Sequence, residues 1–202
     1  GETSEMSGES SSRSSLTIPD AQQTLLTALK QTGKPIVLLN FSGRATVMNW
    51  EDSNLDAILN VWFGGSEAGD AICDVLFGDK SPSGKLTVTM PKSVGQIPIY
   101  YNHLSTGRPL AEGKWFTKFQ SNYLDIDNEP LYPFGYGLSY TTFKYGKLSL
   151  NKTSMTHADS IRATVTVTNT GNFDGEEIVQ LYIRDVMGSV SRPVKELKDF
   201  CR

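Results

Sequence analysis

The sequence predicts an α/β chain that runs on into an antiparallel β-sandwich, and three observations carry that expectation. Strand, helix and strand patterns follow one another between Ala57 and Met90, the order of a βαβ unit and so of a parallel sheet. Beyond Gly146 the pattern changes to short alternating runs divided by turn residues. The composition, 38% hydrophobic and 20% charged over 202 residues, suffices for a core and excludes an intrinsically disordered chain.

Each element has its own signal. Residues 1–15 hold seven serines and the glutamates Glu2, Glu5 and Glu9 without periodicity, and read as a loop. Pro19 and Asp20 open a helix with Leu25, Leu26, Ala28 and Leu29 on one face, stopped by Gly33. Ile36-Val37-Leu38-Leu39 is a continuous apolar run, as expected of a strand covered on both faces. A turn at Ser42-Gly43 follows, and the pattern allows a short second strand around Thr46–Met48. Ala57–Trp62 is the next strand, Gly64-Gly65 a turn, and Ser66–Phe77 a helix ended by Gly78. Its apolar face is Ala68, Ala71, Ile72, Val75 and Leu76, and Leu86–Met90 is the strand that would close the βαβ unit.

From Pro91 to Phe143 no period is evident. The stretch is rich in Pro, Gly and Tyr and is expected to wrap another surface. After Gly146, Ile161–Thr168 alternates, Asn169–Asn172 turns, and Glu177–Arg184 alternates again. In that last run Ile178, Gln180 and Tyr182 face one way, and Val179, Leu181 and Ile183 the other. Val194–Phe200 reads as the beginning of a further strand. Residues 146–202 fall short of the roughly 100 residues of a complete sandwich, so a truncated second domain is expected.

Charge narrows the function classes. Nineteen Lys and Arg against 22 Asp and Glu give a net charge of −3, which offers no basic field to nucleic acid or anionic membrane. No apolar run approaches the ~20 residues of a spanning helix. Cys73 and Cys201 are too few for a disulfide framework or a cysteine metal site and are expected to be free thiols. No His, Cys or Asp cluster has metal-ligand spacing, and no cofactor is implied.

Three sets of residues are candidates for chemistry. Gly64-Gly65-Ser66-Glu67-Ala68 lies between strand and helix, close to the G-x-S-x-G nucleophile elbow but with Ala in the last place. The plainer reading makes Ser66 a helix N-cap, and His103 is the one realistic base beside the remote His157. The opening acidic loop could supply one of the paired carboxylates of glycoside hydrolysis, although composition alone favours a solvated tail. The aromatic residues from Tyr100 to Phe143 either offer platforms to sugar rings or pin an irregular segment to its neighbours. Pinning is favoured for Tyr132–Phe143, and Trp115–Tyr123 stays open.

Longer motifs add a resemblance. Gly1-Glu2, Met6, Glu9-Ser10-Ser11-Ser12-Arg13 and Leu16-Thr17-Ile18-Pro19 open a collinear series. It continues through Trp62-Phe63, Gly65, Glu67 and Gly69, then Phe77-Gly78-Asp79, Pro82–Leu86, Ser93–Tyr101 and Thr106-Gly107-Arg108-Pro109. Tyr132-Pro133-Phe134-Gly135-Tyr136-Gly137-Leu138-Ser139-Tyr140-Thr141-Thr142-Phe143 is its most specific part, and Asn169-Thr170-Gly171 and Ser191–Lys198 complete it. In these motifs the chain resembles bacterial family 3 glycoside hydrolases of the periplasmic β-glucosidase type.

The resemblance implies an N-terminal (β/α)8-type barrel, then an α/β sandwich domain (parallel-sheet, flavodoxin-like), then a fibronectin-III-like domain. Residues 1–145 would be the later part of the sandwich domain with its acid/base loop, and residues 146–202 the opening strands of a truncated fibronectin-III-like β-sandwich. The activity implied is exo-acting hydrolysis of terminal β-linked glucosyl residues with retention. Glu9 matches the acid/base position, and Glu2, the glutamate opening the same motif, is the fallback. The nucleophilic aspartate belongs to the barrel, the partner module of the same polypeptide, so no glycosidase activity is expected of this chain alone. Retention sets the two carboxyls about 5–5.5 Å apart. Arg13 is expected to fix the loop rather than touch sugar.

Ser10 stands where the family usually has alanine, Phe41-Ser42-Gly43-Arg44-Ala45 replaces Met-Asn-Gly-Arg-Pro, and Asp199 takes the place of a glycine. None of these removes a group that the chemistry needs. The rival readings are a non-catalytic carbohydrate-binding or packing module and a serine hydrolase using Ser66. A periplasmic or secreted location is what the resemblance suggests, and it leaves glucose against xylose undecided.

Overall fold

The computed structural model describes residues 1–105, 107–111 and 113–202. Thr106 of the Thr-Gly-Arg-Pro motif lies outside them.

The first half is built on one parallel strand pair. Helix α1 spans Asp20–Lys30 after Pro19, and strand β1 spans Val37–Asn40. A short helix α2, Asn49–Asn54, leads to strand β2, Ala57–Asn60, which pairs parallel with β1 in the register Val37↔Ala57 to Asn40↔Asn60. The βαβ unit of this chain is therefore β1-α2-β2, one step earlier than the sequence pattern suggests. Only Asn40 of β1 is buried, so the strand is not covered on both faces within this chain. Asn40 Nδ2 donates to Asn60 Oδ1 at 2.8 Å and to Thr46 Oγ1 at 3.1 Å, which satisfies the amide's NH2 group, while its buried Oδ1 has no hydrogen-bond partner among the described residues. Around Thr46–Met48 there is a single parallel bridge, Thr17↔Val47, and no strand.

Helix α3 spans Ala68–Phe77 and ends at Gly78, which takes the left-handed conformation at φ 87°. Its N-cap is Glu67, not Ser66, and no side chain caps it, which corrects the simpler reading of Ser66. The third parallel strand expected at Leu86–Met90 does not form. Leu86 N–H donates to the Tyr136 carbonyl and Gly135 N–H to the Leu86 carbonyl, both at 2.7 Å, while Met90 N–H donates to the Tyr132 carbonyl at 2.8 Å. The stretch is thus satisfied by an antiparallel partner in the Tyr-rich segment. Pro133, between the two contacts, lacks an N–H and keeps the ladder from becoming regular.

The second half is antiparallel. Strand β3, Phe143–Tyr145, pairs with β6, Val167–Asn169, and β4, Ser149–Leu150, with β5, Ala163–Thr164. Strand β7, Val179–Ile183, pairs with β8, Glu196–Cys201, with a bulge between Leu181 and Tyr182. The alternation in β7 has a physical outcome: Gln180 and Tyr182 face inward, whereas Leu181 and Ile183 are exposed. Cys73 and Cys201 are free and exposed.

The Tyr- and Gly-rich segment ties the halves together. Tyr101 stacks on Phe134 at 4.3 Å between ring centroids and meets Tyr182 edge-on at 5.9 Å. Gln180 Nε2 donates to the Gly135 carbonyl at 3.0 Å, and Lys85 Nζ pairs with Glu177 at 3.1 Å. Tyr140 donates to the Val75 carbonyl at 2.7 Å, and Tyr132 to the Asp52 carboxylate. Tyr132, Phe134 and Tyr140 thus act as pins to other segments, although Tyr140 is itself partly exposed, and Trp115, Phe116, Phe119 and Tyr123 are exposed.

Candidate active site: the loop beyond strand β1

Residues 1–13 lie across the carboxyl end of β1, where Glu2 N–H donates to the Phe41 carbonyl at 2.7 Å. In sheets with parallel strands that edge is where ligands bind.

Glu2 is the fixed point of the loop. Its side chain is 2% exposed, with Oε1 2.8 Å from Arg44 Nε and 3.2 Å from Arg13 Nη1. Oε2 accepts from the Gly43 N–H at 3.1 Å and lies at the same distance from the Ser42 hydroxyl. Burial works to raise the Glu2 pKa, but the Gly43 N–H, Arg13, Ser42 and Arg44 outweigh it and hold the carboxyl below its ordinary range. Glu2 is thereby kept ionised.

Glu9 is placed in the opposite way. It stands in a tight turn whose Ser11 N–H donates to the Gly8 carbonyl at 3.2 Å, with Gly8 at φ 139° and Ser10 at φ 60°. A left-handed serine is strained, and it turns the chain sharply just after Glu9. The Glu9 side chain is exposed and has no hydrogen-bond or ion-pair partner among the described residues. Two carbonyls frame the turn, those of Met6 and Ser11, and both accept from Arg44 Nη2, at 2.9 and 3.2 Å. Arg13 contacts Glu2, in keeping with a loop-fixing part.

Sequence reasoning passed over Arg44, and Ser42 with it. The pair stood out as a Ser-Gly turn after an apolar run and as part of the Phe41–Ala45 departure from the family's pattern, neither of which signals a clamp. It also passed over Glu51, 3% exposed on α2, whose pKa burial raises although its own backbone N–H offsets part of the effect.

The other candidates are not assembled. Ser66 is exposed, and no hydrogen bond joins it to His103 or His157; His103 Nδ1 instead lies 3.1 Å from the Leu104 carbonyl. A nucleophile without a bonded base is not activated, which sets the serine hydrolase reading aside. Among the described residues no group of three or more His, Cys, Asp or Glu side chains could hold a metal ion. No helix among them is long and apolar enough to cross a membrane.

Comparisons with known proteins point to one family. Residues 1–140 match the family described as glycosyl hydrolase family 3 C-terminal domain, and residues 177–202 match the fibronectin type III-like domain. A periplasmic beta-glucosidase of Salmonella typhimurium is 53% identical over 200 residues, covering 99% of this chain and 26% of that protein. A beta-xylosidase of Formosa agariphila is 43% identical over 195 residues, covering 96% of this chain and 26% of its own length. The crystal structure of a Listeria innocua beta-glucosidase in complex with gluconolactone superposes with a TM-score of 0.93 at 44% identity, over 98% of this chain and 27% of that one. The same protein has been solved, as a mutant, with laminaribiose. The chain thus spans about a quarter of the length of these relatives.

Proposed function

The chain belongs to glycoside hydrolase family 3, in its C-terminal domain, and on that premise we propose that it supplies the acid/base glutamate, Glu9, of a retaining exo-acting β-glucosidase. In this reading residues 1–145 are the later part of the α/β sandwich domain, and residues 146–202 open the fibronectin-III-like domain. A barrel elsewhere in the same polypeptide carries the aspartate nucleophile. The proposed location is periplasmic or secreted, the periplasm being supported by the name of the Salmonella typhimurium relative.

The observation that carries the proposal is the contrast between the two glutamates of the loop. Glu2 has all its neighbours and is held ionised, so it is unfit to donate a proton. Glu9 is presented outward beyond the carboxyl end of β1, on a held turn and without a partner of its own. That is the arrangement of a group whose partner lies on another module.

The chemistry balances as two displacements. The aspartate carboxylate attacks the anomeric carbon, the glycosidic C–O bond breaks, and the Glu9 proton passes to the leaving oxygen. Water then attacks the same carbon from the face the leaving group vacated. Glu9 takes its proton, the bond to aspartate breaks, and the sugar leaves with its configuration retained. The nucleophile's negative charge and closure by the barrel favour the protonated Glu9 that the first step requires. Glucosyl over xylosyl is supported by the higher identity to the Salmonella typhimurium protein than to the Formosa agariphila one.

The test is Glu9→Gln in the full-length polypeptide that carries this chain. Hydrolysis of an aryl β-glucoside with a poor leaving group is expected to fall by about 10²–10⁴-fold. Added azide, which needs no general base, is expected to restore turnover of an activated aryl glucoside and yield the β-glucosyl azide. Undiminished hydrolysis of the poor leaving group refutes the assignment.

A further inference from the structure

The Glu9 turn has little to hold itself. Its internal bonds are the Ser11 N–H to the Gly8 carbonyl at 3.2 Å and a long contact, 3.5 Å, from the Ser11 hydroxyl to the Glu9 carbonyl. With Ser10 left-handed, that strained conformation must be fixed from outside. Among the described residues, the side chain that bonds the carbonyls framing the turn is that of Arg44. Arg44 reaches from beyond the end of β1, and a single nitrogen, Nη2, bonds the Met6 carbonyl on one side of the turn and the Ser11 carbonyl on the other. Its Nε lies against the buried Glu2 carboxylate, which is itself held by Arg13, Ser42 and Gly43.

We infer that Arg44 is a positioning residue for the acid/base group: it fixes the turn that carries Glu9 and transmits to it the rigidity of the Glu2 cluster. The inference rests on the reading of Glu9 given above. Arg44 acts through the Met6 and Ser11 carbonyls and not through the Glu9 carboxylate. The role needs the planar fork of a guanidinium, since one ammonium cannot face Glu2 and both carbonyls in those directions. An error of about 1 Å in a reacting group can cost 10²-fold in rate, and a loose turn permits such an error.

Leaving groups separate positioning from mere stability. In the full-length polypeptide, Arg44→Met, Arg44→Lys and Glu9→Gln are compared on aryl β-glucosides with leaving groups from dinitrophenol to phenol. A dinitrophenolate departs without a proton and a phenol needs one, so only a defect in the acid steepens the dependence of kcat/KM on leaving-group acidity. Arg44→Met is expected to lose about 10–100-fold on the phenyl glucoside and less than threefold on the dinitrophenyl glucoside. Arg44→Lys, which keeps the charge and disturbs folding least, is expected to steepen the dependence in the same sense. Equal losses on every substrate for Arg44→Met, with Glu9→Gln steep, overturn the positioning role and leave Glu9 standing. Wild-type behaviour of Arg44→Lys overturns it too, since charge alone would then suffice. A flat response in Glu9→Gln overturns the reading of Glu9 itself, and the inference with it.

Discussion

Glu2 Oε1 lies 2.8 Å from Arg44 Nε, and that pair joins the segment crossing the end of β1 to the turn that follows the strand. The Glu2 side chain is 2% exposed, and the two arginines that face it are 20% exposed. Removing one partner of such a pair leaves the others charged and poorly solvated. Glu2→Gln in the 202-residue chain is expected to cost about 3 kcal/mol, the lower end for a buried pair because both arginines keep contact with water.

The pH dependence of that loss has a definite sign. Burial alone would raise the Glu2 pKa, but its hydrogen-bond donors and the two arginines hold it below the unfolded value. The folded chain therefore binds fewer protons, and the stabilisation is full above the ordinary carboxylate pKa and lost as pH falls through the depressed one. Urea midpoints of wild type and Glu2→Gln are expected to differ most near neutrality and to converge as pH is lowered toward 2. A gap that stays constant over that range assigns the loss to packing instead.

Glu51 gives the opposite slope. Burial on α2 raises its pKa, so the folded chain holds a proton that the unfolded chain releases. Its contribution is complete below the ordinary carboxylate pKa and declines as pH rises through the raised value. The nearest charged group on its own helix is Asp52, which holds the Tyr132 hydroxyl and offers Glu51 no positive partner. Glu51→Gln, which keeps the shape without the charge, is expected to raise the urea midpoint at pH 7 and leave it unchanged at pH 4. A lower midpoint at pH 7 means that the ionised carboxylate has a favourable contact in the fold.

How much of this was legible depends on the range of the interaction. Helix α3 with Gly78 and the alternation of β7 were readable because local periodicity and a left-handed glycine decide them. Leu86–Met90 carries the pattern of a strand, but its partner is chosen by residues 131–136, some forty-five positions away. No local signal says that this partner will be antiparallel and broken by Pro133. Helix α2 was missed because its Asn-Trp-Glu-Asp-Ser-Asn run is short and polar. In the loop, the chain motifs drew attention to Glu2, Glu9 and Arg13, all within thirteen residues. Arg44 meets them only because the loop folds over the end of β1, and a contact between positions 38 apart leaves no mark on either segment.

Gly135 tests the junction between the two halves. It sits at φ 81°, a region in which a Cβ is disfavoured by about 1–2 kcal/mol. A Cβ there would come within 2.2 Å of Gln180 Oε1 and 2.8 Å of the Tyr182 hydroxyl. Gln180 cannot swing aside cheaply, because its Nε2 donates to the Gly135 carbonyl at 3.0 Å and its Oε1 accepts from Tyr182 at 2.6 Å. Gly135→Ala must therefore strain the backbone and give up at least one of these bonds, for a loss of about 2–3 kcal/mol. The control is Gly69→Ala in α3, where a Cβ meets nothing within 4 Å and φ is ordinary. That change is expected to stabilise by about 0.5–1 kcal/mol through helix propensity. Thermal midpoints moving in opposite directions locate the strain at the junction of residues 133–137 with β7. Equal midpoints for the two variants would mean that Gln180 and Tyr182 do not hold that junction.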